Sequence, residues 1–428
     1  MSTNLAVWKV IAAKSQVTEQ KRQGKEQQMR IGILTFHRSV NNGAVIQCYS
    51  LSKRLQKEFP DADVEVIDYH MPKIQESYHV SFFKFLKEKR PRILAAKLKT
   101  LLLEPNHILW QKKRNQVFAD SIHELPLSKR FIFDDKPDEL YRFIERNYDL
   151  VIAGSDAIWN YVSRGFPNPY FLSESITIPK MSYAASCYGL SYEKVPEEQR
   201  SIIGKILNTY QFIGVRDDES EIYARKMGCQ MEIVHTCDPT VFLDVEDLPV
   251  KKAELEAKLK QKGFSLERKS IGVMGSNALC RMVRQMYGKE YQIVSLYNFC
   301  RQADVNLYDL TPYEWAYVFR YLEITFTTFF HGTLLSLRNG TPVISIALET
   351  EYSKVHMTKV EDFLRRIGLE ECYFHTDYSR TDIARIKEKS DHLIQSSCGN
   401  LIRSKMDQEA KSAERFVSEI RKLFHDKA

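Results

Sequence analysis

Arg30-Ile31-Gly32-Ile33-Leu34-Thr35-Phe36 is an apolar run, and His37-Arg38-Ser39-Val40-Asn41-Asn42-Gly43-Ala44 follows it as a short polar turn. Helical spacing then begins at Val45, Ile46, Tyr49, Leu51 and Leu55. A short apolar run bounded by polar residues reads as a buried strand. Asn and Gly suit the unusual backbone angles of a tight turn. Val64–Tyr69 reads as the next strand. Strand, helix, strand is the opening of a parallel α/β sheet.

Further along the chain the alternation continues. Strand-like runs lie at Leu150–Ala153, Met181–Ala185, Phe212–Val215 and Met231–Val234, with helical spacing over Glu197–Asn208 and Asp218–Met227. Val250–Arg268 is rich in Lys and Glu and reads as a connector. A second set follows, with strands at Ser270–Met274, Gln292–Leu296, Glu323–Thr327 and Pro342–Ile346, and helices at Pro312–Tyr321, His331–Asn339 and Val355–Ile367. From Thr381 on, the pattern is helical and charged. These blocks predict an α/β chain with two Rossmann-like doubly wound domains facing each other across a cleft. The expected boundaries are a polar extension over 1–28, a first domain over 29–248, a second over 249–380 and terminal helices over 381–428. Met29 is an alternative start.

The 428 residues suit two or three domains at roughly 100–200 residues each. An apolar share of 43% and a charged share of 27% exclude a disordered or fibrous chain. No apolar run is long enough to span a bilayer. The net charge of +7 is modest and concentrated. Between positions 84 and 114 lie ten Lys or Arg against Glu88 and Glu104, interleaved with Phe, Leu, Ile and Trp110. This reads as a basic helical insertion over 80–120, either a solvated face or a membrane-docking one. A local excess without a recognised module argues against nucleic acid as a partner. The eight cysteines form no CxxC pair, so no metal site is expected. With no signal-peptide pattern, they point to a reducing cytoplasm.

Ligands of doubly wound sheets bind beyond the carboxyl ends of the strands. Four segments sit there. In the first, Asn41, Gly43 and Gln47 form either an ordinary capped turn or a helix start that holds an anion or hydroxyls. The second is Gly154-Ser155-Asp156 with Trp159, where small residues precede an acid; the other reading is a helix cap with Trp159 in the core. In the third, Arg216 ends a strand, where a guanidinium can hold a carboxylate or phosphate, or pair with Asp217 or Asp218. Asp238 follows the next strand. The fourth is Phe330-His331-Gly332-Thr333, where a His stands between a strand and a helix whose first amides can hold an anion. It can also be a core histidine.

In this order the segments resemble the polysaccharide pyruvyl transferase family. The likeness rests on Asn41-x-Gly43-Ala44-x-Ile46-Gln47, Gly154-Ser155-Asp156 with Trp159-Asn160, Ser182-Tyr183-Ala184-Ala185-Ser186, Val215-Arg216, Asp238-Pro239-Thr240 and Phe330-His331-Gly332-Thr333. It runs from about residue 30 to 369. The resemblance implies a fold similar to B-type glycosyltransferases. It also implies transfer of pyruvate from phosphoenolpyruvate to a sugar diol, as a cyclic ketal on a cell-surface glycan or its lipid-linked precursor. By matching motif, His331 is the expected acid and Arg216 the donor-holding cation, with Asp156 as candidate base. No cofactor is expected beyond phosphoenolpyruvate as donor. Some members carry Arg two residues before the motif His, where this chain has Phe329, so Lys359 is the expected further cation and Lys354 a second. Lipid-linked acceptors would bring the protein to the inner face of the plasma membrane. The alternatives are a nucleotide-sugar-dependent glycosyltransferase of the same architecture and an inactive glycan-binding relative.

Overall fold

The computed structural model describes residues 28–71, 107–133, 137–161, 165–187, 192–348 and 357–425. The polar extension up to residue 27, positions 84–106 of the basic stretch and Lys354 lie outside the described residues.

In the first half the elements are β1 (Arg30–Leu34), α1 (Asn42–Glu58), β2 (Asp63–Val66), the two-residue β3 (Tyr69–His70), α2 (His107–Ser121), the two-residue β4 (Ile132–Phe133), α3 (Asp138–Asn147), β5 (Leu150–Asp156), β6 (Lys180–Ala185), α4 (Glu197–Leu207), β7 (Phe212–Val215), α5 (Asp218–Lys226) and β8 (Ile233–His235). The second half runs through α6 (Lys252–Gln261), β9 (Ser270–Met274), α7 (Asn277–Tyr287), β10 (Gln292–Ser295), β11 (Val305–Asn306), α8 (Pro312–Val318), β12 (Ile324–Thr327), α9 (Phe330–Arg338), β13 (Val343–Leu348), α10 (Lys359–Arg366) and β14 (Tyr373–Thr376). Three helices end the chain: α11 (Arg380–Gln395), α12 (Gly399–Ala410) and α13 (Glu414–His425).

Each half is built on a six-stranded parallel sheet, in the order β2-β1-β5-β6-β7-β8 and β11-β10-β9-β12-β13-β14. Strands of such sheets are covered on both faces, which is why β1, β5, β9 and β12 are buried along nearly their whole length, even the alternating Ile-Thr-Phe-Thr of β12. In the first sheet the strand order reverses between β1 and β5, and in the second between β9 and β12. At such switch points neighbouring loops part and leave a crevice at the carboxyl ends. Here the two crevices belong to one cleft.

The halves are held by a shared core. One apolar cluster contains Ile31 and Ile33 of β1 as well as Ile271 and Val273 of β9. Helix α1 is the wedge between them: Val45, Ile46 and Tyr49 pack with Tyr313 and Trp315 of α8, and the Tyr49 and Tyr313 rings meet edge to face at 5.2 Å. Helix α13 returns to the first half. Its Phe424 stacks on Phe59 at 4.8 Å, and Phe416 packs on Tyr183 of β6 and Phe212 of β7. Charged pairs Arg54–Glu414, Arg421–Glu58 and Arg415–Glu232 border this contact; being exposed, each adds at most about 1 kcal/mol. Among the described residues no helix is long and apolar enough to cross a membrane.

Candidate active site

The carboxyl ends of β1, β5, β9 and β12 converge on a cavity of about 230 Å³. Val40, Asn41 and Gly43 line it from the β1–α1 turn, Asp156 from the end of β5, and Met274 from the end of β9. Phe329, Phe330 and His331 reach it from the β12–α9 junction, Tyr297 from beyond β10, Trp315 from α8 and Lys359 from the start of α10.

The two halves meet at Gly43 and His331. A Cβ placed on Gly43 would lie 2.3 Å from His331 Nδ1 and 2.4 Å from its Cγ. The imidazole therefore rests on the bare backbone of the first turn of α1. Asn41 caps that helix, accepting from the Gly43 amide at 3.0 Å. Helix α9 has no such cap. Phe329 stands at the cap position and offers no side-chain acceptor, so the first amides of α9 and its positive end remain available to an anion. Gly332 is required here by space, since a Cβ would come within 2.5 Å of Thr327 Oγ1 and 2.9 Å of Met274 Sδ.

The carboxylate comes from an unusual corner. Gly154 has φ +132°, and a Cβ there would sit 2.1 Å from the Tyr183 carbonyl oxygen, so this position needs glycine. Asp156 itself has φ +77°, a left-handed conformation that Asp tolerates better than most residues. Its Oδ1 accepts from the Ala157 amide at 2.8 Å and lies 3.6 Å from Arg216 Nη2. Burial pushes this carboxyl up. Arg216 foremost, then Lys359, His331 and the Ala157 amide, pull it down to about 2, so it is ionised.

Behind the wall sits Arg216, only 1% exposed. Its Nη1 donates to Asp238 Oδ2 at 2.9 Å, and its Nε and Nη2 have no hydrogen-bond partner. This departs from the expectation of a rim guanidinium: Arg216 is committed to Asp238 and Asp156 rather than presented to the cavity. Asp238 also accepts from the Thr240 amide at 3.0 Å, and its Oδ2 lies 3.8 Å from His331 Nε2, a buried nitrogen without a hydrogen-bond partner. Burial pushes the imidazole pKa down. Asp238 and Asp156 oppose that shift, and Lys359 and Arg216 add to it. The ring is thus uncharged at neutral pH, and a bound anion would raise its affinity for a proton. For Lys359, burial and the Arg216 charge lower the ammonium pKa, against Asp156, Asp238 and Asp217. The Phe330 ring links the two cations, with Arg216 at 5.0 Å and Lys359 at 5.1 Å from its centroid.

Asn41, Gly43, Asp156, His331 and Lys359 thus meet at the cavity, with Arg216 and Asp238 one layer back. Four expected ligand contacts are structural instead. Gln47 is fully buried; its amide donates to Thr35 Oγ1 and the Ala44 carbonyl, and its oxygen accepts from the Ser155 amide. Ser155 is likewise fully buried behind the cavity. Trp159 stacks on Phe171 at 5.5 Å inside the core. The Thr333 amide, expected at an anion, donates to the Phe329 carbonyl at 3.1 Å, and its hydroxyl pairs with Ser345 at 2.8 Å. The sequence reading gives no site role to Tyr297 or to Phe330, although Phe330 belongs to the motif it quotes; an aromatic residue directly after a strand end was the available signal for Tyr297. Among the described residues no group of three or more His, Cys, Asp or Glu could hold a metal ion.

A model of the polysaccharide pyruvyl transferase family matches residues 41–350, which includes every residue of this cavity except Val40 and Lys359. The chain belongs to the polysaccharide pyruvyl transferase family. No curated protein matches this pyruvyl transferase family member in sequence. Among solved structures it is similar to UDP-GlcNAc 2-epimerase from Methanocaldococcus jannaschii, at 10% identity and TM-score 0.52 over 93% of this chain and 100% of that one. It is also similar to the Neisseria meningitidis UDP-GlcNAc 2-epimerase bound to UDP-GlcNAc, at 11% identity and TM-score 0.50 over 92% and 100%. At such identities the likeness concerns the fold: two Rossmann-like halves, as in B-type glycosyltransferases and epimerases.

Proposed function

We propose that this protein transfers the pyruvyl group of phosphoenolpyruvate to two hydroxyls of a sugar, forming a cyclic ketal on a cell-surface polysaccharide or its lipid-linked precursor. The observation that carries the reading is His331: an imidazole on the cavity, at an uncapped helix start, beside the Lys359 ammonium and the Asp156 carboxylate.

The chemistry needs these groups. A proton must reach the methylene carbon of the enol phosphate, and positive charge then builds on the central carbon. A sugar hydroxyl attacks that carbon, and its neighbour closes the ketal as the bond from carbon to the phosphate oxygen breaks and the departing phosphate takes the second hydroxyl's proton. Lys359 and the α9 amides would hold the phosphate and carboxylate. Their negative charge would raise the His331 pKa, so the imidazole takes up its proton as the donor arrives and delivers it to the methylene. Asp156, ionised in the empty site, would accept the proton of the attacking hydroxyl. Arg216 would act from behind, keeping Asp156 ionised and both Asp156 and Asp238 in place.

The test is incubation with phosphoenolpyruvate and a panel of synthetic and lipid-linked glycosides. Phosphate release together with the mass gain of a pyruvate ketal is expected. Nucleotide release from a nucleotide sugar, with phosphoenolpyruvate untouched, would sink the reading. The basic, apolar-rich stretch 84–114 supports docking on anionic lipid at the cytoplasmic membrane face, where each Lys or Arg contributes about 1 kcal/mol. Salt-sensitive flotation with acidic but not neutral liposomes would be its signature.

A further inference from the structure

A second cavity, of about 410 Å³, opens at the carboxyl ends of β9 and β10. Tyr297 lines both this cavity and the His331 cavity, so the two adjoin. Its far wall comes from the other half of the molecule: Trp110, Gln111 and Arg114 of α2 lean over the loops Gly275–Asn277 and Tyr297–Phe299. The lining is rich in half-buried rings. Trp110 stacks on Phe299 with centroids 3.8 Å apart, and Tyr308 lies 5.9 Å from Trp110. The Arg114 guanidinium sits 4.9 Å over the Tyr297 ring, and its Nε is buried without a hydrogen-bond partner. The remaining polar lining is neutral: Gln111, Ser276, Asn277 and Asn298.

We infer that this second cavity is an acceptor subsite, taking an uncharged pyranose unit of the glycan next to the unit that receives pyruvate. Sugars present alternating C–H faces and equatorial hydroxyls, which match aromatic walls and neutral amide or hydroxyl partners. A nucleoside diphosphate would need more positive charge than the cavity offers. Among the described residues Arg114 is the one cation in its lining. Lys113 and Lys262 both pair with Asp309 at 2.6 Å, which offsets one of their two charges and turns both ammonium groups to that carboxylate. The shared Tyr297 wall sets the spacing: a glycan seated here has its neighbouring unit at the His331 cavity. The inference rests on the pyruvyl-transfer reading for which unit reacts, but not for what the cavity binds.

The test uses the full chain and two variants. Gln111→Trp fills the cavity from an exposed helix position, and Trp110→Leu removes the main platform. The probes are methyl glycosides of β-1,4-linked disaccharides of glucose, galactose and N-acetylglucosamine, with the corresponding monosaccharides. Binding is read by saturation-transfer NMR without donor, and transfer by initial rates with phosphoenolpyruvate. At least one disaccharide is expected to bind wild type and to lose about tenfold in KM or affinity in Gln111→Trp, with the KM for phosphoenolpyruvate and the monosaccharide rate nearly unchanged. Disaccharide binding by wild type, lost in Gln111→Trp, upholds the subsite even if no ketal forms; in that case the transfer reading alone fails. Ketal formation with an unchanged disaccharide KM in a folded Gln111→Trp overturns the subsite and leaves the transfer reading standing. Binding of none of the probes, or of UDP at this cavity in their place, also overturns it. If Trp110→Leu fails to fold, the filling variant decides alone.

Discussion

Replacing Gly43 by Ala gives the sharpest test of the site. The added methyl would sit 2.3 Å from His331 Nδ1, whereas ordinary contact begins at 3.4 Å. The ring, or the two helices that carry the pair, must therefore part by roughly 1 Å. Two effects on stability oppose each other. Gly43 lies in the first turn of α1, and Ala is favoured over Gly in a helix by up to about 1 kcal/mol. Overpacking costs about 1–3 kcal/mol. The net loss should thus be small, on the order of 1 kcal/mol, and the protein should fold. Activity has no such compensation. A misplacement of about 1 Å in a reacting group costs on the order of 10²-fold in rate. Thermal unfolding and ketal formation, measured on one preparation, should separate: a melting temperature lowered by a few degrees, and turnover reduced about a hundredfold. Wild-type turnover in a folded Gly43→Ala protein would refute the contact between α1 and the imidazole as a determinant of the chemistry.

Removal of the proposed acid, His331→Ala, should leave the chain folded and reduce turnover by about 10²–10⁴-fold; unaltered turnover would exclude His331 from the reaction. Arg216→Ala should act first on stability, because it strands Asp156 and Asp238 as buried charges and breaking such a pair costs about 3–5 kcal/mol. A melting temperature equal to wild type would contradict the buried position of the guanidinium. Stability should also fall in acid. Asp156 and Asp68, the latter bound by Arg38 and His37, are both held near 2 against an ordinary 3.8. A carboxyl lowered on folding contributes above its unfolded pKa and loses that contribution as pH drops through its folded one. Each should contribute roughly 2 kcal/mol at neutral pH, lost progressively below about pH 4. His331, lowered from 6.5 by burial, adds a milder decline that begins as pH drops through 6.5. Denaturant midpoints between pH 2 and 8 would check this, and Asp68→Asn should flatten the acid limb.

Much of the architecture was legible because buried parallel strands carry a strong local signal. Phe212–Val215 and Ser270–Met274 coincide with β7 and β9, and His331–Asn339 lies within one residue of α9. The edge strands β11 and β14 are missing from that reading. One has two residues, the other is half exposed, and neither makes an apolar run. Helix α7 is missing too, although Leu279, Cys280, Met282, Val283, Met286 and Tyr287 keep helical spacing. At the site, the segments were legible and the direction of their side chains was not. Gln47 and Asp156 both sit next to turns rich in small residues. Only the three-dimensional path turns Gln47 back to hold the Thr35 hydroxyl and the Ser155 amide while Asp156 faces the cavity. Arg216 ends a strand as expected, but two carboxylates from other segments claim it.

That relocation changes how an anionic donor can be held. Arg216 lies among Asp156, Asp217 and Asp238, so its positive charge is already outweighed before any ligand arrives. The charge available at the cavity surface then comes from the Lys359 ammonium and the partial charge at the uncapped start of α9, about half a unit at low screening. A phosphate and a carboxylate together carry more than that. The imidazole would supply the difference, since burial lowers its pKa in the empty site and surrounding anions would raise it. Donor binding should therefore take up about one proton near neutral pH. Calorimetry in buffers of different ionisation enthalpy reads that uptake directly. It should vanish in His331→Asn, and an uptake that persists there would move the proton, and with it the acid of the reaction, to Lys359.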